Sequence, residues 1–143
     1  GATYDTIMGK DPCPGGWTLI AHNISRWFGL TADFDVTYPN FSSANATLIR
    51  NVWSYFAVTW NATAKTAKLY VNGNEVLYLN QIAGSGSYVT DVGTAFQIGA
   101  AVCSSNGFDG SIDELRIFNY ERNQLIFLKA AVELNPDIRQ PSL

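Results

Sequence analysis

Two carboxylates, Asp33 and Asp35, occupy alternate positions at the end of a predicted strand. Residues two apart on a strand share a face, which places their Cβ atoms roughly 7 Å apart. A carboxylate pair at that distance could hydrolyse a glycosidic bond by acid–base chemistry. Two solvated carboxylates near a strand end would give the same pattern, and we adopt this interpretation. We keep Asp33 and Asp35 as candidate ligand contacts, and we expect no catalysis.

The other candidate nucleophiles and bases are few. His22 is the only histidine, and the two cysteines, Cys13 and Cys103, lie far apart in loop-like, glycine-containing sequence. A thiol paired with His22 could act as a nucleophile. We instead predict one disulfide between Cys13 and Cys103, with two free thiols as the alternative, and a disulfide favours an oxidising compartment.

Asparagine sequons support the same compartment. The pattern Asn-x-Ser/Thr, which accepts N-linked glycans in secreted proteins, begins at Asn23, Asn40, Asn45 and Asn61. We therefore expect a secreted or cell-surface glycoprotein.

Composition excludes several classes of partner. The chain has 143 residues and a formal net charge of −3, with no cluster of lysine or arginine, which argues against nucleic acid. No segment approaches the ~20 apolar residues that a membrane-spanning helix needs. One domain with a substantial core is expected at this length.

Aromatic side chains are the other candidates for ligand contact, because a sugar ring stacks on an aromatic plane. Trp27 and Tyr88 are flanked by polar or glycine-rich sequence and are our candidates for exposed contacts. Trp53 and Trp60 lie in an apolar strand pattern, and we expect them in the core.

These residues must be positioned by β-strands. Residues 53–60 carry apolar side chains on both alternating sets, residues 68–71 form a second strand, and Asn72-Gly73 is a strong hairpin signal. The chain should return at residues 75–79 as an antiparallel meander. Glycine- and asparagine-rich turns separate the remaining strands, and a helical pattern covers residues 121–133. Further strands are predicted at residues 4–8, 17–22, 26–34, 95–101 and 111–118, with an edge strand within residues 35–51. The pattern predicts an all-β, two-sheet antiparallel sandwich with a short C-terminal helix.

The ordered motifs W-S-Y-F-A-V-T-W, K-L-Y-V-N-G, F-Q-I-G-A and F-D-G-S-I-D-E-L-R-I-F-N resemble the laminin-G-like, concanavalin A-like jelly rolls. Weaker similarities, I-M-G-K and G-W-T-L, lie upstream, so the resemblance covers most of the chain. It implies a jelly-roll domain over residues 1–136 and a polar tail over residues 137–143.

The resemblance also implies a bound Ca²⁺, for which Asp109 and Asp113 are the candidate ligands, because carboxylates and carbonyls suit that ion. The alternative is that Asp113 caps or pairs locally and binds nothing. Such domains usually begin with about two further strands, which this sequence lacks, and it starts without Met. We therefore expect either an excised piece or a sheet completed by another chain, for which residues 137–143 are a candidate donor.

These observations predict an extracellular, non-enzymatic recognition or adhesion module whose ligand is a glycan. The alternative is a structural subunit of a glycosylated surface assembly or filament, joined by strand exchange between copies.

Overall fold

A computed structural model describes residues 4–12, 14–100 and 107–134 of the chain. The architecture is mostly β, with two antiparallel sheets and one short helix near the C-terminus, which confirms the predicted jelly-roll sandwich. The elements are β1 (Tyr4–Lys10), β2 (Trp17–His22), β3 (Phe28–Ala32), β4 (Asn40–Ser43), β5 (Phe56–Asn61), β6 (Thr66–Val71), β7 (Asn74–Glu75), β8 (Tyr78–Ile82), β9 (Gln97–Ile98) and α1 (Gln124–Leu134).

The larger sheet has six strands in the order β8-β4-β3-β2-β1-β9, and the smaller has three in the order β5-β6-β7. Alternate side chains of the larger sheet pack against the smaller one, as the two-residue period of a strand requires. The core includes Leu19, Phe28 and Leu30 from the larger sheet and Ala67 and Leu69 from the smaller. Phe28 and Leu69 are fully buried.

The β6–β7 turn has the backbone that its sequence predicts. Asn72 and Gly73 both have positive φ, at 51° and 82°, as a type I′ hairpin needs. A Cβ on Gly73 would lie 2.4 Å from the Cα of Leu128, so this glycine also lets α1 approach the turn. The contact of Tyr70 with Phe127, whose ring centroids are 5.0 Å apart, fixes the helix on this hairpin.

The single returning strand predicted at residues 75–79 is wrong. The chain leaves the smaller sheet after Glu75 and joins the larger sheet at Tyr78, because β8 pairs with β4. The crossing is held at Val76, whose N–H bonds the Leu69 carbonyl, and at Leu77, whose carbonyl accepts from Ala44. The same pairing makes β4 an interior strand, where we had predicted an edge.

The strand predicted at residues 111–118 is also wrong. The apolar alternation is present, but Glu114 has a φ of 52°, which interrupts an extended run. The Asp113 carboxylate accepts the Glu114 N–H at 2.8 Å. No backbone–backbone hydrogen bond joins this segment to another described residue, and Ile117 is 64% exposed.

Of the two tryptophans predicted in the core, one lies there. Trp60 packs against the core and against Phe34. Trp53 is 61% exposed, because pairing in β5 begins three residues later, at Phe56. Within the described residues, no helix has the length and apolarity to cross a bilayer.

Candidate ligand-binding face

The six-stranded sheet has an outer face, which we define as the side turned away from the three-stranded sheet. Directly paired residues of antiparallel strands share a face, so the registers arrange the outer side chains in three rows. The first row is aromatic, and the second and third consist mostly of small or polar residues. The rows are Tyr4, His22 and Trp27; then Thr6, Ile20, Gly29, Ser42 and Asn80; then Gly9, Thr18, Thr31, Asn40 and Ile82.

The aromatic row is a packed cluster. His22 stacks on Trp27 with centroids 5.1 Å apart and meets Tyr4 edge-on at 4.9 Å. Hydrogen bonds in the β2–β3 turn hold it: His22 N–H donates to the Trp27 carbonyl at 2.7 Å, and His22 Nδ1 accepts from the Ser25 N–H at 2.9 Å. These contacts fix an aromatic surface at one end of the outer face.

The other two rows contain hydroxyl and amide groups, of which Thr6 and Thr18 are buried, while Thr31, Asn40 and Asn80 are partly exposed. Asn80 Nδ2 donates to Ser42 Oγ at 2.9 Å, and Ser42 is almost completely buried. Thr31 lies directly opposite Asn40, and both are half-exposed. No hydrogen bond joins the side chain of Thr31 or Asn40 to another described residue, so both can bond a ligand.

Gly29 lies in β3 between these groups. A Cβ at this position would lie 2.6 Å from the Phe41 carbonyl oxygen and 3.2 Å from Ser42 Cβ. Glycine therefore allows β3 and β4 to approach closely. Gly29 is itself buried, and Ile20 and Ser42 lie directly opposite it on the neighbouring strands.

The outer face is wide enough for several sugar rings. From Trp27 to Thr31 the strand rise gives roughly 13 Å, and the four strand spacings from β1 to β8 give roughly 19 Å. Aromatic planes beside uncharged hydrogen-bonding groups are the combination that sugars require.

Sequence reasoning placed only Trp27 on this face as a ligand contact. Thr31, Ser42 and Asn80 were missed, and Asn40 was considered only as a glycan acceptor. A signal was available in β3, where the polar Thr31 alternates with the apolar residues Leu30 and Ala32 and is the one residue of the strand that is not buried. Without the register, however, the alternation could not reveal which residues of other strands lie beside Thr31.

The other predicted ligand residues lie beyond the opposite end of β3. Asp33 Oδ2 accepts the Gly15 N–H, and Asp35 Oδ1 accepts the Ser87 N–H at 2.7 Å. Tyr88 packs edge-on against Phe34 with centroids 5.6 Å apart. The two carboxylates thus tie neighbouring loops to the sheet.

Burial is the main cause that raises the pKa of Tyr88, followed by the charge and hydrogen bond of Asp91 and the charge of Asp33. Tyr88 is therefore a neutral phenol at physiological pH. Six residues separate Trp27 from Asp33, a strand rise of roughly 20 Å. The structure groups Tyr88, Asp33 and Asp35, while Trp27 belongs to the outer face.

The predicted calcium ligands do not form a binding cluster. Asp109 and Asp113 are both exposed, and Asp113 Oδ1 bonds the adjacent Glu114 N–H. Nowhere in the described ranges do three histidine, cysteine, aspartate or glutamate side chains gather in a geometry suited to a metal. These residues do not fit a Ca²⁺ site, and calcium binding stays a prediction from resemblance.

The predicted disulfide lies outside the described residues, as do both Cys13 and Cys103 and the tail at residues 137–143. The four sequons differ in their surroundings. Asn45 and Asn61 are exposed, and the Asn61 carboxamide oxygen accepts the Ala64 N–H at 2.8 Å. Asn23 is half-buried and bonded by Arg50, and Asn40 lies within the outer face.

A separate cleft of about 390 Å³ lies between the β6–β7 hairpin and the start of α1. It is lined by Lys68, Glu75, Glu121 and Arg122 among others, so its charges balance. Lys68 and Glu75 form an ion pair at 3.5 Å. Tyr70 is the one aromatic residue among those that line this cleft, whereas the outer face has a cluster of three aromatic rings and is the stronger candidate.

Comparison with known proteins agrees with this architecture. A model of the laminin-G-type family, described as the concanavalin A-like lectin/glucanases superfamily, matches residues 5–125. Neither the curated proteins nor the solved structures include a significant match. The match spans most of the chain and both sheets, so the protein belongs to the laminin-G-type family of the concanavalin A-like lectin/glucanases superfamily.

Proposed function

We propose that the protein is a non-enzymatic recognition module that binds a glycan on the outer face of its six-stranded sheet. Membership of the family supports a carbohydrate- or protein-binding role. The observation that carries the choice of a glycan is that the Tyr4–His22–Trp27 cluster lies on the same face of the sheet as Thr31 and Asn40.

The two kinds of group would act together. An aromatic ring covers the C–H face of one pyranose, while hydroxyl and carboxamide groups bond the hydroxyls of another ring of the same chain. Thr31, Asn40 and the carboxamide oxygen of Asn80 supply donors and acceptors without needing to break a bond inside the protein. Because the sheet holds these groups rigidly, little conformational entropy is lost on binding.

Laminin-G-like domains are generally binding modules without enzymatic activity. The hydrogen bonds of Asp33 and Asp35, the two carboxylates on alternate positions after β3, support the same role here. Asp33 and Asp35 each accept a backbone N–H from a neighbouring loop. These hydrogen bonds hold neighbouring loops to the sheet, so we assign both residues a positioning role.

An extracellular setting, a Cys13–Cys103 disulfide and N-linked glycans belong to the same proposal. Asn45 and Asn61 support it, because both are exposed near turns, where glycan attachment would meet little obstruction.

A second candidate function is a subunit of a surface assembly completed by strands from another copy. The observation that favours it is the segment at residues 111–118, which pairs with no other described residue, keeps strand-like alternation and exposes Leu115, Ile117 and Phe118. Strand β5 likewise has a strand partner on one side alone among the described residues. Unpaired backbone beside apolar side chains is a surface that strand addition can fill, and residues 137–143 of a neighbour are a candidate donor.

A glycan array probed with the protein, with and without calcium, tests the first candidate. Binding that is weakened by Trp27→Ala but not by Trp53→Ala would support it, since both tryptophans are accessible but only Trp27 lies on the outer face. Absence of any signal would reject it. Light scattering after size-exclusion chromatography tests the second, and a monomer at all concentrations would reject strand exchange.

A further inference from the structure

The outer face carries no formally charged side chain at neutral pH in the part of the chain that the structure describes. Its three rows contain hydroxyl, amide, aliphatic, aromatic and glycine residues, with His22 as the one titratable group besides Tyr4. The nearest charges lie at the margins. Asp11, which accepts a hydrogen bond from Thr18, and Asp33 lie at one end, and Arg26 lies in the turn before Trp27.

This distribution selects against charged ligands. A sulfate or carboxylate placed over Gly29 or Thr31 would lose water without gaining a cationic partner, which is costly. At the far end, the Asp33 carboxylate would repel it. A protonated amino sugar over Gly29 would also lack a partner, because Asp33 lies four residues further along the strand, roughly 13 Å away. An uncharged sugar meets neither penalty.

The size of the face sets a second limit. A single ring on Trp27 would leave Thr31 and Asn40 roughly 13 Å away along the strand. Only a ligand with several rings can contact the aromatic row and the Thr31–Asn40 pair together.

We infer that the outer face binds an uncharged oligosaccharide of several residues, in preference to sulfated, uronate-containing or amino-sugar chains. This inference rests on the proposed function and goes beyond it, because it specifies the charge and length of the ligand.

The test is a glycan panel in which each uncharged chain is matched by a charged chain of equal length, followed by calorimetry on the strongest binder. One such pair is the hexamers of N-acetylglucosamine and of glucosamine, and oligogalacturonate supplies the anion. The protein should come from a host that adds no N-glycans, so that Asn40 is unmodified. We expect an uncharged chain to bind most tightly, the hexamer to exceed its disaccharide, and affinity to be nearly independent of salt.

Two results would overturn the inference while leaving glycan binding intact. One is tighter binding of a charged chain than of its uncharged match, with the salt dependence of an ionic contact. The other is equal affinity for the disaccharide and the hexamer. Arg26→Gln removes the positive charge beside Trp27, and it should leave the affinity for an uncharged oligosaccharide unchanged. A loss of affinity for a charged chain in this variant would identify Arg26 as its ionic contact. If no glycan binds, the proposed function fails as well.

Discussion

Replacing Thr31 by valine should weaken glycan binding without weakening the fold. Valine has nearly the same shape as threonine and suits a strand. The Thr31 hydroxyl is half-exposed and has no hydrogen bond to another described residue, so the fold loses no internal bond. A ligand bonded to it would lose one neutral hydrogen bond, worth about 0.5–1.5 kcal/mol, which corresponds to roughly 2- to 13-fold weaker binding.

The control is Thr66→Val. Thr66 is also half-exposed and also lies in a strand, but in β6 of the smaller sheet. Calorimetry with the selected oligosaccharide should give a weaker Kd for Thr31→Val alone, while thermal unfolding should show similar Tm values for both variants. A double-mutant cycle with Asn40→Ala adds a further test, because Thr31 and Asn40 face each other across β3 and β4. If both contact one sugar ring, their effects should be non-additive. Equal affinities for Thr31→Val, Thr66→Val and wild type would refute the reasoning.

Three further predictions follow from the contacts. In chemical denaturation, Gly73→Ala should lower the free energy of unfolding by more than Gly93→Ala. Both glycines have positive φ, which costs alanine about 1 kcal/mol, but only a Cβ on Gly73 meets α1. Equal losses of stability in the two variants would contradict the packing of α1 on the β6–β7 turn. Burial above all, together with the charge and hydrogen bond of Glu75, raises the pKa of Tyr78 to about 12. The folded state therefore retains a proton that the unfolded state loses near pH 10, so the free energy of unfolding should fall between about pH 10 and 12. An equally steep decline in Tyr78→Phe would exclude this tyrosine as the source. A glycan on Asn40 would lie on the outer face and cover the proposed site. In protein from a glycosylating host, only the fraction that mass spectrometry shows to be unmodified at Asn40 should bind oligosaccharide. Full binding by the modified fraction would place the ligand elsewhere.

The sandwich was predictable because its strongest signals are local. Asn72-Gly73 defines a hairpin, and apolar sequence marks β2 and β3, which supply Leu19, Phe28 and Leu30 to the core. Residues 111–118 show the limit of such reasoning. Their alternation predicts a strand, but a strand needs a partner, and pairing is a property of distant segments. The positive φ of Glu114, a residue with no strong preference for it, gave no warning in the sequence.

The candidate site was less predictable for the same reason. Trp27 and Tyr88 were both chosen from exposed-looking sequence, yet one lies on the outer face and the other beyond the opposite end of β3. Asn80 contacts Ser42, which is 38 positions away in the chain, because the chain crosses between the sheets after Glu75. Local sequence does not encode that crossing in a form that alternation reveals.

The most direct test of the account is an NMR titration of the isotope-labelled protein with the oligosaccharide that the glycan panel selects. The account predicts that the Trp27 indole, the Thr31 amide and the Asn40 and Asn80 carboxamides shift together, with one Kd. Shifts confined to the Asp33–Asp35–Tyr88 end or to residues 111–118 would contradict the central claim that the outer face binds the glycan.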